Sequence, residues 1–326
     1  MRRFAALALV PALVSACATA NDPTDPAKVV GVDYELRSHP LGADKRPITP
    51  RPGPEGAPEW RPGEFMAQAI GRAVGGALQL QAKHEHLGFY DEGACVLGAF
   101  VSANGSIDMT LAVTPGHEYV VMAAGDEDVR DMNLRVDADG SLVGEDVADD
   151  AVPLVKFLPK GDRVRVVLSM IDMDGGGSFG AVVLLEAKGV RLAPERVKHA
   201  VGTSLATAGS ASAAISAHVP SATGLVFQAG GEWAFYATLL EPKEWWRTSG
   251  VDLEGPSVLL GGGDGIARKL TIEVRRGETI VARAGDKDDR PLAVLREAPT
   301  GPVAVTLSNE DSPQVSLATL VVLRTE

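Results

Sequence analysis

Three stretches of this sequence gather side chains that could do chemistry. Asp126, Glu127, Asp128 and Asp131, with Asn133 just beyond, place four carboxylates and an amide on one short loop. Ca²⁺ takes six to eight oxygen ligands, and Asp126, Asp128, Asp131 and Asn133 are the set that could supply several of them. A solvated, charged loop between strands is the plainer reading of the same residues. Asp172-Met173-Asp174-Gly175-Gly176-Gly177 opens like a calcium loop. It lacks the later ligands of the EF-hand pattern, and its glycines suit the positive φ of a hairpin turn. Trp245-Trp246, with Trp233, Phe235 and Tyr236 nearby, concentrates aromatic mass in a chain that is only 5% aromatic. Aromatic rings stack on sugars and anchor protein interfaces. Neighbours on a strand point to opposite faces, so one tryptophan of the pair packs inward and the other can present a ligand surface.

Other motifs fall short of a catalytic set. Gly261-Gly262-Gly263-Asp264-Gly265 is glycine-rich but is followed by no Gly-Lys-Ser/Thr, so it is not a phosphate cradle. His84-Glu85-His86 sets two imidazoles two residues apart, which points them to opposite sides of a strand or about 200° apart on a helix. The chain has no H-E-x-x-H and no G-x-S-x-G, and its six histidines are scattered. A non-catalytic protein is expected. The formal net charge of −12 argues against nucleic acid and anionic lipid surfaces, which are polyanions themselves. The two cysteines, Cys17 and Cys95, cannot make a disulfide framework, and Cys95 reads as a small buried hydrophobe in a strand.

The N-terminus carries an address. Arg2 and Arg3 precede the apolar run Phe4 to Val14, whose 11 residues fall far short of the ~20 that span a bilayer. Val14-Ser15-Ala16-Cys17 then resembles the lipobox of bacterial lipoproteins. The resemblance implies cleavage after residue 16 and a diacylglycerol thioether on Cys17, and Ala18 rather than Asp implies the outer membrane. Residues 17–63 are a tether with nine prolines between Ala18 and Gly63, which fix φ and remove donors.

The elements that must position these residues are written twice. Val120 to Pro153 aligns without a gap on Val258 to Pro291 at an offset of 138, with eight of 34 positions identical. Glu64 to His86 has helical spacing, and a weaker helical segment, Arg196 to His218, precedes the second copy. Short strand-like runs divided by Asn-Gly, Asp-Gly and Pro-Gly turns follow each helix, from Gly93 to Glu186 in the first copy. The expectation is a mainly β chain of two tandem antiparallel β-sandwiches, each preceded by a helix, over 64–188 and 195–326.

Tyr119-Val120-Val121, Asp131-Met132-Asn133-Leu134, Asp139-Gly140-Ser141-Leu142-Val143 and Asp149-Asp150-Ala151-Val152-Pro153 together resemble the bacterial pre-peptidase C-terminal (PPC) domain. The resemblance implies a jelly-roll β-sandwich of the kind appended to exported enzymes, some members of which bind calcium. The second copy departs from it, with Lys269-Leu270-Thr271-Ile272 in place of the acidic element, so a calcium site there is not implied. The expected protein is a lipid-anchored, non-catalytic envelope module for a polysaccharide or an envelope protein. A self-associating structural protein, or the accessory subunit of an enzyme, is the alternative.

Overall fold

The computed structural model describes residues 64–174, 177–228, 232–253, 255–285 and 289–325. The signal segment, Cys17 and the Pro-rich tether lie outside the described residues. The first half runs α1 (Glu64–Lys83), β1 (Leu87–Phe89), β2 (Ala94–Ser102), β3 (Ser106–Ala112), β4 (Tyr119–Gly125), β5 (Val129–Ala138), β6 (Ser141–Asp146), β7 (Leu154–Phe157), β8 (Arg163–Met173) and β9 (Gly177–Ala187). The second half repeats that order as α2 (Pro194–Ala214), a 3₁₀ turn (Ile215–Ala217), β10 (Leu225–Phe227), β11 (Phe235–Leu240), β12 (Trp245–Val251), β13 (Ser257–Gly263), β14 (Lys269–Arg276), β15 (Thr279–Ala284), β16 (Leu292–Leu295), β17 (Val303–Asp311) and β18 (Ser316–Thr325). The chain is mainly β, and every strand pair is antiparallel.

In each half eight consecutive strands deal themselves into two sheets. The order β2-β9-β4-β7 faces β3-β8-β5-β6, and β11-β18-β13-β16 faces β12-β17-β14-β15. First pairs with last and second with next-to-last, which is the nested double Greek key of a jelly roll. The hairpin β5–β6 shows why the chain reverses where it does. Asp139 and Gly140 have φ of 50° and 74°, the left-handed pair that a two-residue Asp-Gly loop accepts without splaying its strands.

The two jelly rolls do not stand apart. β2 pairs with β11, so the inner layers of both halves fuse into one ten-stranded sheet that also takes in β1 and β10. The seam is nearly symmetric. It pairs Leu97 with Tyr236 and Gly98 with Phe235, and the repeat offset carries one pair onto the other (97 + 138 = 235; 98 + 138 = 236). A pseudo-two-fold axis therefore passes between these residues, and a single hydrophobic core runs through both halves.

Burial explains the two kinds of strand in the sequence. α1 packs on β2, β4 and β9, and α2 on β13 and β18, so the fused sheet has a helix on one face and a sheet on the other. Strands covered on both faces read as unbroken apolar runs. Tyr119–Gly125, Phe235–Leu240 and Ser257–Gly263 are buried at every position. β3, with one face in water, alternates strictly between exposed and buried. Two short strands, β6 and β15, were not separate in the sequence. Their side chains are largely exposed, so they lack the apolar contrast that marks a strand. The helices end at Lys83 and Ala214, earlier than the sequence spacing indicated.

Candidate functional site

The outer layers do not fuse as the inner ones do. Across the seam, β3 and β12 are edge strands of separate four-stranded sheets. Between them lies a cleft of about 520 Å³, floored by β2 and β11 around Leu97 and Tyr236. That volume falls within the ~300–1,000 Å³ of small-ligand sites. Both halves build it, and it sits where their pseudo-symmetry axis emerges. Thr110 and Thr248, equivalent under the repeat, line its two walls, whereas Asp108 and Trp246, also equivalent, differ.

The β12 wall carries the tryptophan pair. Trp246 is half-buried and leans on Tyr236, with ring centroids 5.3 Å apart at 46°. Tyr236 is buried in the floor. Burial, reinforced by the nearby Glu232 carboxylate, holds the Tyr236 phenol well above its usual pKa. Trp245 points the other way and is 57% exposed. Arg247 lies 5.0 Å over its ring and donates from Nε to Thr306 Oγ1 at 2.9 Å. The cleft thus takes Trp246 and leaves Trp245 on an outer face.

The opposite wall is braced by Trp233 from across the seam and by Tyr90 from within its own half. Trp233 Nε1 donates to the Asp108 carbonyl at 2.9 Å, and Tyr90 Oη donates to the Ala112 carbonyl at 2.9 Å. Both acceptors belong to β3, and both donors line the cleft. Thr238 Oγ1 reaches the Gly93 carbonyl at 2.9 Å, a further tie between the halves. The Asp108 carboxylate is held by Arg165 in a two-pronged pair, with both contacts at 2.9 Å, which keeps its pKa low. Glu92 and Glu232 also line the cleft, and among the described residues neither makes an ion pair. Burial, and then the Asp252 charge, raises the Glu232 pKa above the ordinary carboxylate value.

The acidic loop sits elsewhere, and its lead residue has a different task. Asp126 is fully buried. Its Oδ1 accepts from Ser178 Oγ at 2.8 Å and from the Asp128 N–H at 3.1 Å, and its Oδ2 accepts from the Phe179 N–H at 3.0 Å. Asp264 repeats the arrangement through Ser316 Oγ, the Ile266 N–H and the Leu317 N–H, at 2.8, 3.1 and 3.0 Å. Each donor is related to its counterpart by the same 138-residue step. The carboxylate is a clip that fastens the loop after β4 or β13 to the start of β9 or β18, and in the second half Arg196 of α2 also pairs with it. Asp128 is buried beside this clip, while Asp131 and Asn133 are half-buried on β5. Burial, followed by Asp149, Asp150 and Asp172, raises the Asp131 pKa. Among the described residues no three His, Cys, Asp or Glu side chains are placed to hold a metal ion.

The remaining motifs take structural positions. Asp172 and Asp174 flank Arg130, which pairs with both. Gly175 and Gly176 of that stretch lie outside the described residues. α1 ends just before His84, and His86 meets Glu118 at 3.1 Å. Cys95 is fully buried in β2, and burial pushes its thiol up to about 12. The aromatic pair marks Trp246 in the sequence, whereas nothing there marks Glu92, Glu232 or the bracing role of Trp233. Glu92 lies far along the chain from Glu232, Trp233 and Trp246, and the seam brings it beside them.

No protein-family model matches this chain, and no curated protein matches it. Among the described residues no helix is long and apolar enough to cross a membrane. Solved structures give distant likenesses. PliG of Aeromonas hydrophila, a periplasmic lysozyme inhibitor of g-type lysozyme, is 17% identical over 29% of this chain and 90% of its own, with a TM-score of 0.23. The tandem CBM51 modules of a family 98 glycoside hydrolase from Streptococcus pneumoniae are 9% identical over 70% of this chain and 83% of their own, at 0.21. The PBSX exported protein XepA is 10% identical over 89% of this chain and 99% of its own, at 0.24.

Proposed function

We propose that this chain is a non-catalytic binding module of the bacterial cell envelope, anchored in the outer membrane through a lipidated Cys17, and that its ligand sits in the cleft between β3 and β12. The ligand is an envelope polysaccharide or a protein of the envelope. The observation that carries the reading is the cleft itself. It is a concave site built jointly by two fused jelly rolls, and aromatic and acidic groups meet there where the two copies diverge. The lipobox resemblance supports the anchor, and the Pro-rich segment 17–63 supplies reach from the membrane. The PPC-like motifs fit a module that works beside other exported proteins.

The test uses the chain from Ala18 onward, which includes every described element. It is presented to an array of bacterial envelope glycans and, separately, as bait for envelope proteins. The same is done with Trp246→Ala. A ligand whose capture is lost in Trp246→Ala supports the reading. A ligand that binds wild type and Trp246→Ala equally places the site elsewhere and contradicts it.

A further inference from the structure

We infer that the cleft selects glycans that carry free amino groups, with Glu92 and Glu232 as the residues that read the positive charge. This inference rests on the cleft being the binding site and specifies its ligand class. Charge is the first observation. Of the three carboxylates in the lining, Asp108 is already neutralised by Arg165, whereas Glu92 and Glu232 have no ion-pair partner among the described residues. Among the described residues of the lining the one cationic side chain, Arg247, is turned onto Trp245 and Thr306. A cleft with two carboxylates that lack an ion-pair partner among the described residues, one from each half, attracts a cation.

Ring chemistry is the second observation. The Trp246 and Tyr236 rings line the same cleft as those carboxylates, on its wall and floor. The faces of such rings attract ammonium groups and the apolar faces of pyranose rings alike. An amino sugar offers both on one ring.

The backbone of β3 is the third observation, and it separates a glycan from an extended peptide. Strand addition to a sheet edge needs the outward carbonyls and amides of that edge. On β3 the cleft-facing carbonyls of Asp108 and Ala112 already accept from Trp233 Nε1 and Tyr90 Oη. On β12 the register breaks between Thr248 and Val251, where Gly250 takes a φ of 80°. Neither edge offers a continuous ladder. What remains to read a ligand is side chains, and those are aromatic and carboxylate.

The experiment is calorimetric titration of the chain from Ala18 onward with glucosamine tetrasaccharide at pH 6.5, against its fully N-acetylated counterpart of equal length. The expected result is saturable binding of the amine form and at least about ten-fold weaker binding of the acetylated form, the effect of losing a charge-assisted contact. Glu92→Gln and Glu232→Gln each weaken binding of the amine form by about ten-fold without lowering the melting temperature. Equal binding of both oligosaccharides, lost in Trp246→Ala, would overturn the charge selection and leave the cleft as a glycan site. Binding of a lysine tetrapeptide but of neither oligosaccharide would overturn the glycan assignment. No binding of any of the three, with envelope material captured regardless of Trp246→Ala, would overturn both readings.

Discussion

At the scale of single residues, buried carboxylates play two different parts. Asp126 and Asp264 hold one hydroxyl and two backbone amides each, so removing either carboxylate strands buried donors. Asp126→Ala and Asp264→Ala should each lower the unfolding free energy by about 3 kcal/mol, as read by urea denaturation. A loss below about 1 kcal/mol in both would mean that the clips are ornamental. Glu186 is buried at the end of β9 and accepts the Asp91 N–H at 3.0 Å. Burial raises its pKa to about 7. Between the ordinary carboxylate value of 4.5 and about 7, the native state keeps a proton that the unfolded chain has released. Raising the pH through that window therefore draws the equilibrium toward unfolding. Relative to wild type, Glu186→Gln should gain stability as the pH moves from 5 to 8, measured as the difference in melting temperature. A difference that does not change with pH would show that Glu186 ionises normally.

At the scale of elements, the wall of the cleft depends on a cross-brace. Trp233→Phe keeps an aromatic ring, though a smaller one, and removes the indole N–H that donates to the Asp108 carbonyl of β3. It should cost at least about 1 kcal/mol, the net worth of one hydrogen bond, with the lost ring volume adding to it, and should increase amide exchange along Ser106–Ala112. Unchanged exchange on β3 would mean that the strand is held by β8 alone. The elements also show what a sequence can and cannot convey. Strands of the fused sheet are legible because burial on both faces leaves only apolar residues, as in Tyr119–Gly125 and Ser257–Gly263. β3 is legible because one wet face enforces alternation. β6 and β15 are not, because their exposed positions tolerate Ser, Gly, Glu and Thr without any periodic contrast. Of the site, Trp246 was visible as part of an unusual aromatic pair. Glu92 and Glu232 carried no signal, since an isolated glutamate is the ordinary content of a soluble surface.

At the scale of the molecule, the repeat is more than duplication. Two jelly rolls side by side would each close their own core. Here the Leu97–Tyr236 and Gly98–Phe235 pairs fuse them, and one core serves both. The chain should therefore unfold in one transition, with calorimetric and van't Hoff enthalpies in agreement. Two resolved transitions would mean that the seam is weak. The symmetric clips at Asp126 and Asp264 belong to the frame that both copies keep, whereas the cleft draws Asp108 from one copy and Trp246 from the equivalent place in the other (108 + 138 = 246). Function is thus sought where the copies diverge, on the axis that relates them.

The claim that the seam cleft is the binding site is tested most directly by comparing ligand affinity in Trp246→Ala and Trp245→Ala. The two residues are adjacent and chemically identical, and only Trp246 lines the cleft. The account predicts that Trp246→Ala abolishes binding and that Trp245→Ala leaves it within about two-fold of wild type, because truncating a residue outside the contact has little effect. Loss of binding in Trp245→Ala with retention in Trp246→Ala would move the site to the outer face and contradict the account.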